Sequence, residues 1–176
     1  MPALEEVGIL RGIRNRVLQH LARFAPGFKI RVLLHRARGV HIGKEVWIGY
    51  DVILETARPD LVTIEDGASI SMRATIIAHF KEFKGVRIGR EAFIGPGAII
   101  LPNVIVGDGA VVKAGSVVSQ SIPPKTIVEG NPAVPVARCE NPLNWEISMK
   151  QFARGVKPIH SRFTGSERET EKFAHR

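Results

Sequence analysis

The chain has 176 residues, a net charge of +8, one cysteine and only 6% aromatic residues. That length suits one domain with terminal extensions, and a lone Cys139 excludes an intrachain disulfide and points to a reducing compartment. No apolar run approaches membrane-spanning length and no secretory leader is evident, so the expected location is cytoplasmic.

Residues 1–38 hold eight Arg and Lys against Glu5 and Glu6. Leu10, Ile13, Val17, Leu21 and Phe24 fall at helical spacing, which predicts an amphipathic helix ending at Pro26-Gly27. A second helix is expected from Phe28 to about Ala37. The task of this basic extension, residues 1–39, would be to cover one end of the fold that follows, since an open end is a sheet edge. Its basic face is either a solvated surface or a peripheral contact with anionic lipid. No nucleic-acid motif accompanies the charge, so nucleic acid is not expected as a partner.

From Ile42 to Val118 the chain keeps a six-residue beat: Ile42, Ile48, Leu54; Ile64, Ile70, Ile76; Ile88, Ile94, Ile100; Val106, Val112, Val118. A hexad is too short for a helix face and fits one short strand plus one corner, so three hexads close a triangular coil of about 18 residues. Stacked coils form a tube lined by Ile, Val and Ala, too narrow for many large rings. The beat breaks twice, after Leu54 and after Ile76, each time behind the third hexad of a coil. Two insertions at one phase leave the same edge of the prism, and insertions in solenoids gather on the binding face. The first carries Glu55, Thr56, Arg58 and Asp60, and the second runs from His79 to Gly85.

The strict repeat ends near Ile122-Pro123-Pro124, and Pro123, Pro124, Pro132 and Pro135 are expected to stop ladder pairing there. A short helix is expected within residues 143–153, and residues 160–176 are expected to fray. The division is therefore residues 1–39, a β-helix over 40–135, and a C-terminal helix and tail over 136–176.

The stretch IGPGAIILPNVIVGDGAVVKAGSVVSQSIPPKTIVEGNPA, Ile94 to Ala133, with ISMRATIIAH, Ile70 to His79, resembles the hexapeptide-repeat acyltransferases. The likeness is to the branch of serine, maltose, galactoside and xenobiotic acetyltransferases, and it covers about Ile30 to Pro135. It implies an all-β fold: a left-handed parallel β-helix of hexapeptide repeats, here with a helical N-terminal extension and a short C-terminal helix and tail. It also implies a homotrimer with active sites between subunits, and acetyl-CoA as co-substrate with no metal. The product would be an O- or N-acetylated sugar or other small polar acceptor, with cell-surface polysaccharide biosynthesis as the setting. Two departures stand out. Gln120 replaces a Lys that the family often carries, and the loop after His79 is shorter than the substrate-covering loop of the sugar acetyltransferases.

Acyl transfer from a thioester needs a base, and histidine suits because its unperturbed pKa of about 6.5 leaves it largely neutral near pH 7. Of the six histidines only His79 lies on the insertion edge, and it matches the family's base. Glu55 or Asp60 can orient its imidazole through the other ring nitrogen, the alternative being that both acids only hydrate the loop. Asp51, Arg73 and Asn103 are expected near the acceptor, Asn103 level with His79 on the next coil. For the cofactor the resemblance points to Pro96, Gly97, Ala114, Ser119, Gln120, Lys125 and Arg138, with Lys113, Lys125 and Arg138 as candidate phosphate contacts. A γ-carbonic-anhydrase-type zinc site needs three His from facing coils, which His79 alone does not supply. A sugar nucleotidyltransferase needs a large leading domain. The competing reading is a non-enzymatic trimeric assembly module.

Overall fold

A computed structural model describes residues 9–79, 84–144 and 147–159. Two helices lead, α1 (Ile9–Phe24) and α2 (Phe28–Arg38), α2 closing on Gly39 in the left-handed conformation. The first coil holds β1 (His41–Ile42), β2 (Trp47–Ile48) and β3 (Ile53–Leu54). The second holds a 3₁₀ turn (Pro59–Leu61), β4 (Val62–Ile64), β5 (Ser69–Ile70) and β6 (Thr75–Ile76). The third holds β7 (Val86–Ile88), β8 (Phe93–Ile94) and β9 (Ile99–Ile100), and the fourth β10 (Ile105–Val106), β11 (Val111–Val112) and β12 (Val117–Val118). After them come β13 (Thr126–Gly130), β14 (Ala133–Cys139), α3 (Met149–Arg154) and β15 (Val156–Pro158).

These strands stack in parallel into three faces, β1-β4-β7-β10, β2-β5-β8-β11 and β3-β6-β9-β12. This is the β-helix of hexapeptide repeats that the beat predicts. The register is the beat itself: Ile48 lies on Ile70, Ile70 on Ile94 and Ile94 on Val112. Of the twelve beat residues, eleven are buried and Ile42 is packed partly buried against them. Ala68, Ala92 and Ala110 are fully buried in one corner column.

The corners need left-handed backbone. Asp51, Arg73, Asn103 and Lys125 hold φ of 57°, 59°, 64° and 54°, as do Glu45 and Glu91 with no expected site role. The conformation is therefore a property of the corner, not a mark of function. Gly49 and Gly95 are required for a different reason. A Cβ at either would lie 2.6 Å from backbone atoms of the next coil, Met72 N and Val112 O respectively.

One expectation is corrected, and one orientation is settled that the spacing left open. The prolines do not end pairing: β13 adds parallel to β11, and β14 returns antiparallel on β13 with Pro135 opposite Val128. The ladder tolerates this because the register shifts between Ile127 and Val128. The apolar stripe of α1 is not the docking face. Leu10, Ile13, Val17, Leu21 and Phe24 are exposed, while Asn15, Gln19 and Ala22 face inward. The end of a parallel coil offers carbonyls with no strand above them, and buried carbonyls need donors. Gln19 Nε2 donates to Val52 O at 3.0 Å, and Arg31 Nε to Ile48 O at 2.7 Å. Arg38 Nη2 donates to Leu54 O at 3.1 Å and Glu55 O at 2.6 Å. The polar faces of the helices thus complete the first coil. The short helix α3 forms within the expected window, capped by Ser148 and Gln151 reciprocally. The expected frayed tail, residues 160–176, lies outside the described residues.

Candidate active site

Both insertions leave the edge between the third and first faces, one coil apart, as their common phase requires. Glu55 opens the first insertion and His79 the second. Glu55 Oε2 accepts from His79 Nδ1 at 2.6 Å, from Ala78 N at 2.9 Å and from His79 N at 3.1 Å. Its other oxygen accepts from Ala57 N at 2.7 Å and Arg58 N at 3.2 Å. One carboxylate therefore gathers both insertion roots and the imidazole. Burial pushes its pKa up, but the bonds from His79 and the N–H groups of Ala78, Arg58 and Ala57 outweigh that and hold it below 4.5.

An ionised Glu55 can only accept, so Nδ1 of His79 carries the proton and Nε2 is left as the acceptor. The Glu55 side chain is 1% exposed and that of His79 49%. The ring is anchored on its inner side and half exposed on its outer side, so it can exchange a proton with a molecule bound there. Asp60 does not share this role. Its carboxylate is engaged by Arg58 at 2.9 Å, with Arg11 at 3.9 Å.

Behind Glu55 stands a cluster that sequence reading missed. Arg38, fully buried, bonds the Glu55 carbonyl, His35 Nδ1 at 3.1 Å and Gln19 Oε1. Burial pulls the Arg38 guanidinium down to about 10 against the opposing pull of Glu55, so it stays charged at neutral pH. His35, also buried, is pushed down to about 3 by desolvation and by the cations Arg38 and Arg31. No local signal marks these residues. A basic residue in the last turn of a helix is ordinarily read as a solvated complement to the helix dipole.

The other expected site residues divide among the edges of the prism. Asn103 shares the edge of His79, and its Oδ1 accepts from Lys84 N at 3.2 Å, tying down the return of the second insertion. Ser119 and Gln120 follow β12 on the same edge, both exposed. Asp51, Arg73, Pro96, Gly97 and Ala114 lie on the edge between the second and third faces, where Arg73 N bonds Tyr50 O, Gly97 N bonds Met72 O and Gly115 N bonds Pro96 O up the column. Asp51 is paired with Arg23 of α1 at 2.5 Å and sits 4.0 Å from Arg73. A Cβ at Gly97 or Gly115 would meet nothing within 4 Å, so this edge is open where Gly49 and Gly95 are closed. Lys125 lies at the remaining edge and Arg138 on β14, both exposed. Lys113 is paired with Glu129 at 2.6 Å. One chain therefore brings together His79, Glu55 and Asn103, and leaves the Pro96–Ala114 column on a different edge.

The bacterial transferase hexapeptide family (six repeats) matches residues 85–120. The chain is 31% identical over 134 residues to YvoF of Bacillus subtilis (strain 168), a protein named as an acetyltransferase, covering 73% of this chain and 78% of that one. It is 33% identical over 160 residues to a Schizosaccharomyces pombe protein also named as an acetyltransferase, covering 80% and 76%. Among solved structures, the hexapeptide-repeat acetyltransferase VCA0836 of Vibrio cholerae superposes with a TM-score of 0.60 at 22% identity, over 77% of this chain and 94% of that one. The maltose O-acetyltransferase of Clostridium difficile 630 gives 0.58 at 22%, over 76% and 88%. At that identity the structural likeness is one of fold.

Proposed function

The chain belongs to the hexapeptide-repeat acetyltransferases, and from that premise we propose that it carries acetyl from acetyl-CoA to a hydroxyl or amine of a small polar acceptor, with His79 as general base. The observation that carries the role of His79 is its 2.6 Å bond to a buried carboxylate that leaves Nε2 outward. In the proposed step Nε2 takes the acceptor proton as its oxygen or nitrogen bonds the thioester carbonyl carbon. The tetrahedral adduct then breaks its C–S bond, and the thiolate leaves with the proton returned by the imidazolium. Glu55 offsets the positive charge that His79 gains for the lifetime of the adduct.

A sugar acceptor in cell-surface polysaccharide biosynthesis fits the polar, solvent-open edge around His79. A homotrimer is the assembly that reconciles the two edges. An acetyl-CoA lying along the open Pro96–Ala114 column reaches a His79 only if one subunit's column meets another's insertion edge. Backbone groups and the clear space over Gly97 and Gly115 suit a long pantetheine arm, and Ser119 and Gln120 would come to it from the facing subunit's insertion edge.

The test is thiol release from acetyl-CoA across a panel of sugars and amines. His79→Ala is expected to lower turnover by about 10²–10⁴, the usual worth of a general base. His41→Ala, on the exposed end of the first face, is the control and leaves turnover unchanged. Retention of more than about a tenth of turnover in His79→Ala excludes the assignment. Absence of thiol release, with or without every acceptor in the panel, returns the chain to a non-enzymatic assembly role.

A further inference from the structure

The helix α1 is inverted relative to an ordinary surface helix. Its inward face is Asn15, Gln19 and Ala22, and its outward face is Leu10, Ile13, Val17, Leu21 and Phe24, each at least half exposed. The five fall within a narrow arc along a helix of 16 residues, about 24 Å long. At 100° per residue, Arg14 borders the arc on one side and His20 and Arg16 on the other. Beside α1, α2 turns Ile30 and Leu33 outward as well. The two helices meet along a shallow cleft lined by Leu10, Arg14, Arg36 and Ala37, so their outward faces share a border. Apolar surface continues from Leu33 into a groove of about 740 Å³ that reaches Trp47, with Lys29, Arg36 and Glu45 on its walls.

Neither helix contains an Asp or Glu. A second copy docking stripe on stripe would set these arginines against their own kind with no carboxylate on either helix to answer them. An apolar ridge bordered by cations is instead complementary to a surface whose outer layer is anionic and whose inner layer is hydrocarbon. No described helix is long and apolar enough to cross a membrane, which leaves lying on one.

We propose that the outward face of α1, continued by Ile30 and Leu33 of α2, is a docking surface for an anionic lipid bilayer, with Leu10, Ile13, Val17, Leu21 and Phe24 entering the headgroup layer and Arg14 and Arg16 holding lipid phosphates. Because the same helices plug the end of the coil, the enzyme stands on the bilayer by that end. A cyclic trimer keeps this orientation in every subunit, since rotation about one axis does not turn a surface over. Three weak contacts then act together.

The test is flotation of the full-length protein with phosphatidylcholine vesicles, with and without phosphatidylglycerol, across a salt series. The parent is expected to float with the anionic vesicles, and less as salt rises. Val17→Asp/Leu21→Asp is expected to lose at least roughly tenfold in partitioning at every salt concentration, the apolar contribution having been removed. Arg14→Glu/Arg16→Glu is expected to lose as much at low salt and little at high salt. Both doubles keep the parental circular dichroism, since these side chains point into solvent. Three results overturn the proposal: a parent that does not float with anionic vesicles, a Val17→Asp/Leu21→Asp double that floats like the parent, or one whose mass by light scattering falls, which makes the stripe a contact between chains. Flotation needs no acetyl-CoA. Its failure leaves the transfer chemistry standing, and an active His79→Ala leaves the docking surface standing.

Discussion

Glu55→Gln is the substitution that separates the carboxylate from the proposed base, His79, that it holds. It keeps volume and shape and exchanges one acceptor oxygen for an NH₂ donor. In the parent, Oε1 accepts two backbone N–H groups, and Oε2 accepts two more and the imidazole. Whichever oxygen the amide keeps, at least two backbone N–H donors face an NH₂. An unsatisfied buried donor costs about 1–3 kcal/mol. Arg58 and His79 reach partly into solvent, so the expected loss is toward the low end of the two-donor sum, about 2–4 kcal/mol. The effect on rate is separate. If the NH₂ faces His79, it donates to Nδ1 and moves the ring proton to Nε2, so the base is blocked. If the oxygen faces His79, the base survives but its imidazolium loses the charge opposite. The expected turnover is at least about 100-fold below the parent, within the usual worth of a general base, with KM for acetyl-CoA little changed. Urea melts and the thiol-release assay measure the two effects. A variant that loses stability but keeps turnover within about fivefold, well short of that worth, shows that Glu55 only ties the insertion roots together. Unchanged stability refutes the hydrogen-bond reasoning itself.

His35, held neutral at about 3, binds fewer protons folded than unfolded between that value and its ordinary 6.5. Stability is therefore complete above about pH 6.5 and falls below it by up to about 1.4 kcal/mol per pH unit; urea midpoints across this range measure the slope, and His35→Gln is expected to flatten it. Glu55, depressed below 4.5, acts in a lower window: its contribution is complete above that pH and is lost as pH falls through its folded value. Gly49→Ala places a Cβ 2.6 Å from Met72 N and is expected to cost more than about 2 kcal/mol as the coils part. Gly97→Ala meets open space and is expected to cost only the left-handed backbone, about 1–2 kcal/mol; thermal melts of the pair check the order. Removing residues 1–24 takes Gln19 from Val52 O and from Arg38, so the truncated chain is expected to melt lower and to show exposed coil-end surface by dye binding.

The coil was legible because its signal is local. A beat of six sets strand, corner and inward side chain within each hexad, and stacking only repeats the choice. The same regularity made the two interruptions readable as one edge, and left His79 as the one histidine on it. What the beat does not carry is any relation between residues of different hexads that is not a multiple of the repeat. Glu55 and Asp60 both stood in the first insertion, and only the path of the chain shows Glu55 turned in on His79 while Arg58 holds Asp60. The prolines after Ile122 read as a stop, yet a register shift lets β13 and β14 extend the sheet past them. The helices are the clearest case. Amphipathic spacing shows that α1 has two faces but not which one meets the coil. That was decided by the coil's open end, whose unpaired carbonyls at Ile48, Val52, Leu54 and Glu55 need donors more than its narrow rim needs apolar cover. Gln19, Arg31 and Arg38 supply those donors, and the apolar face is turned out.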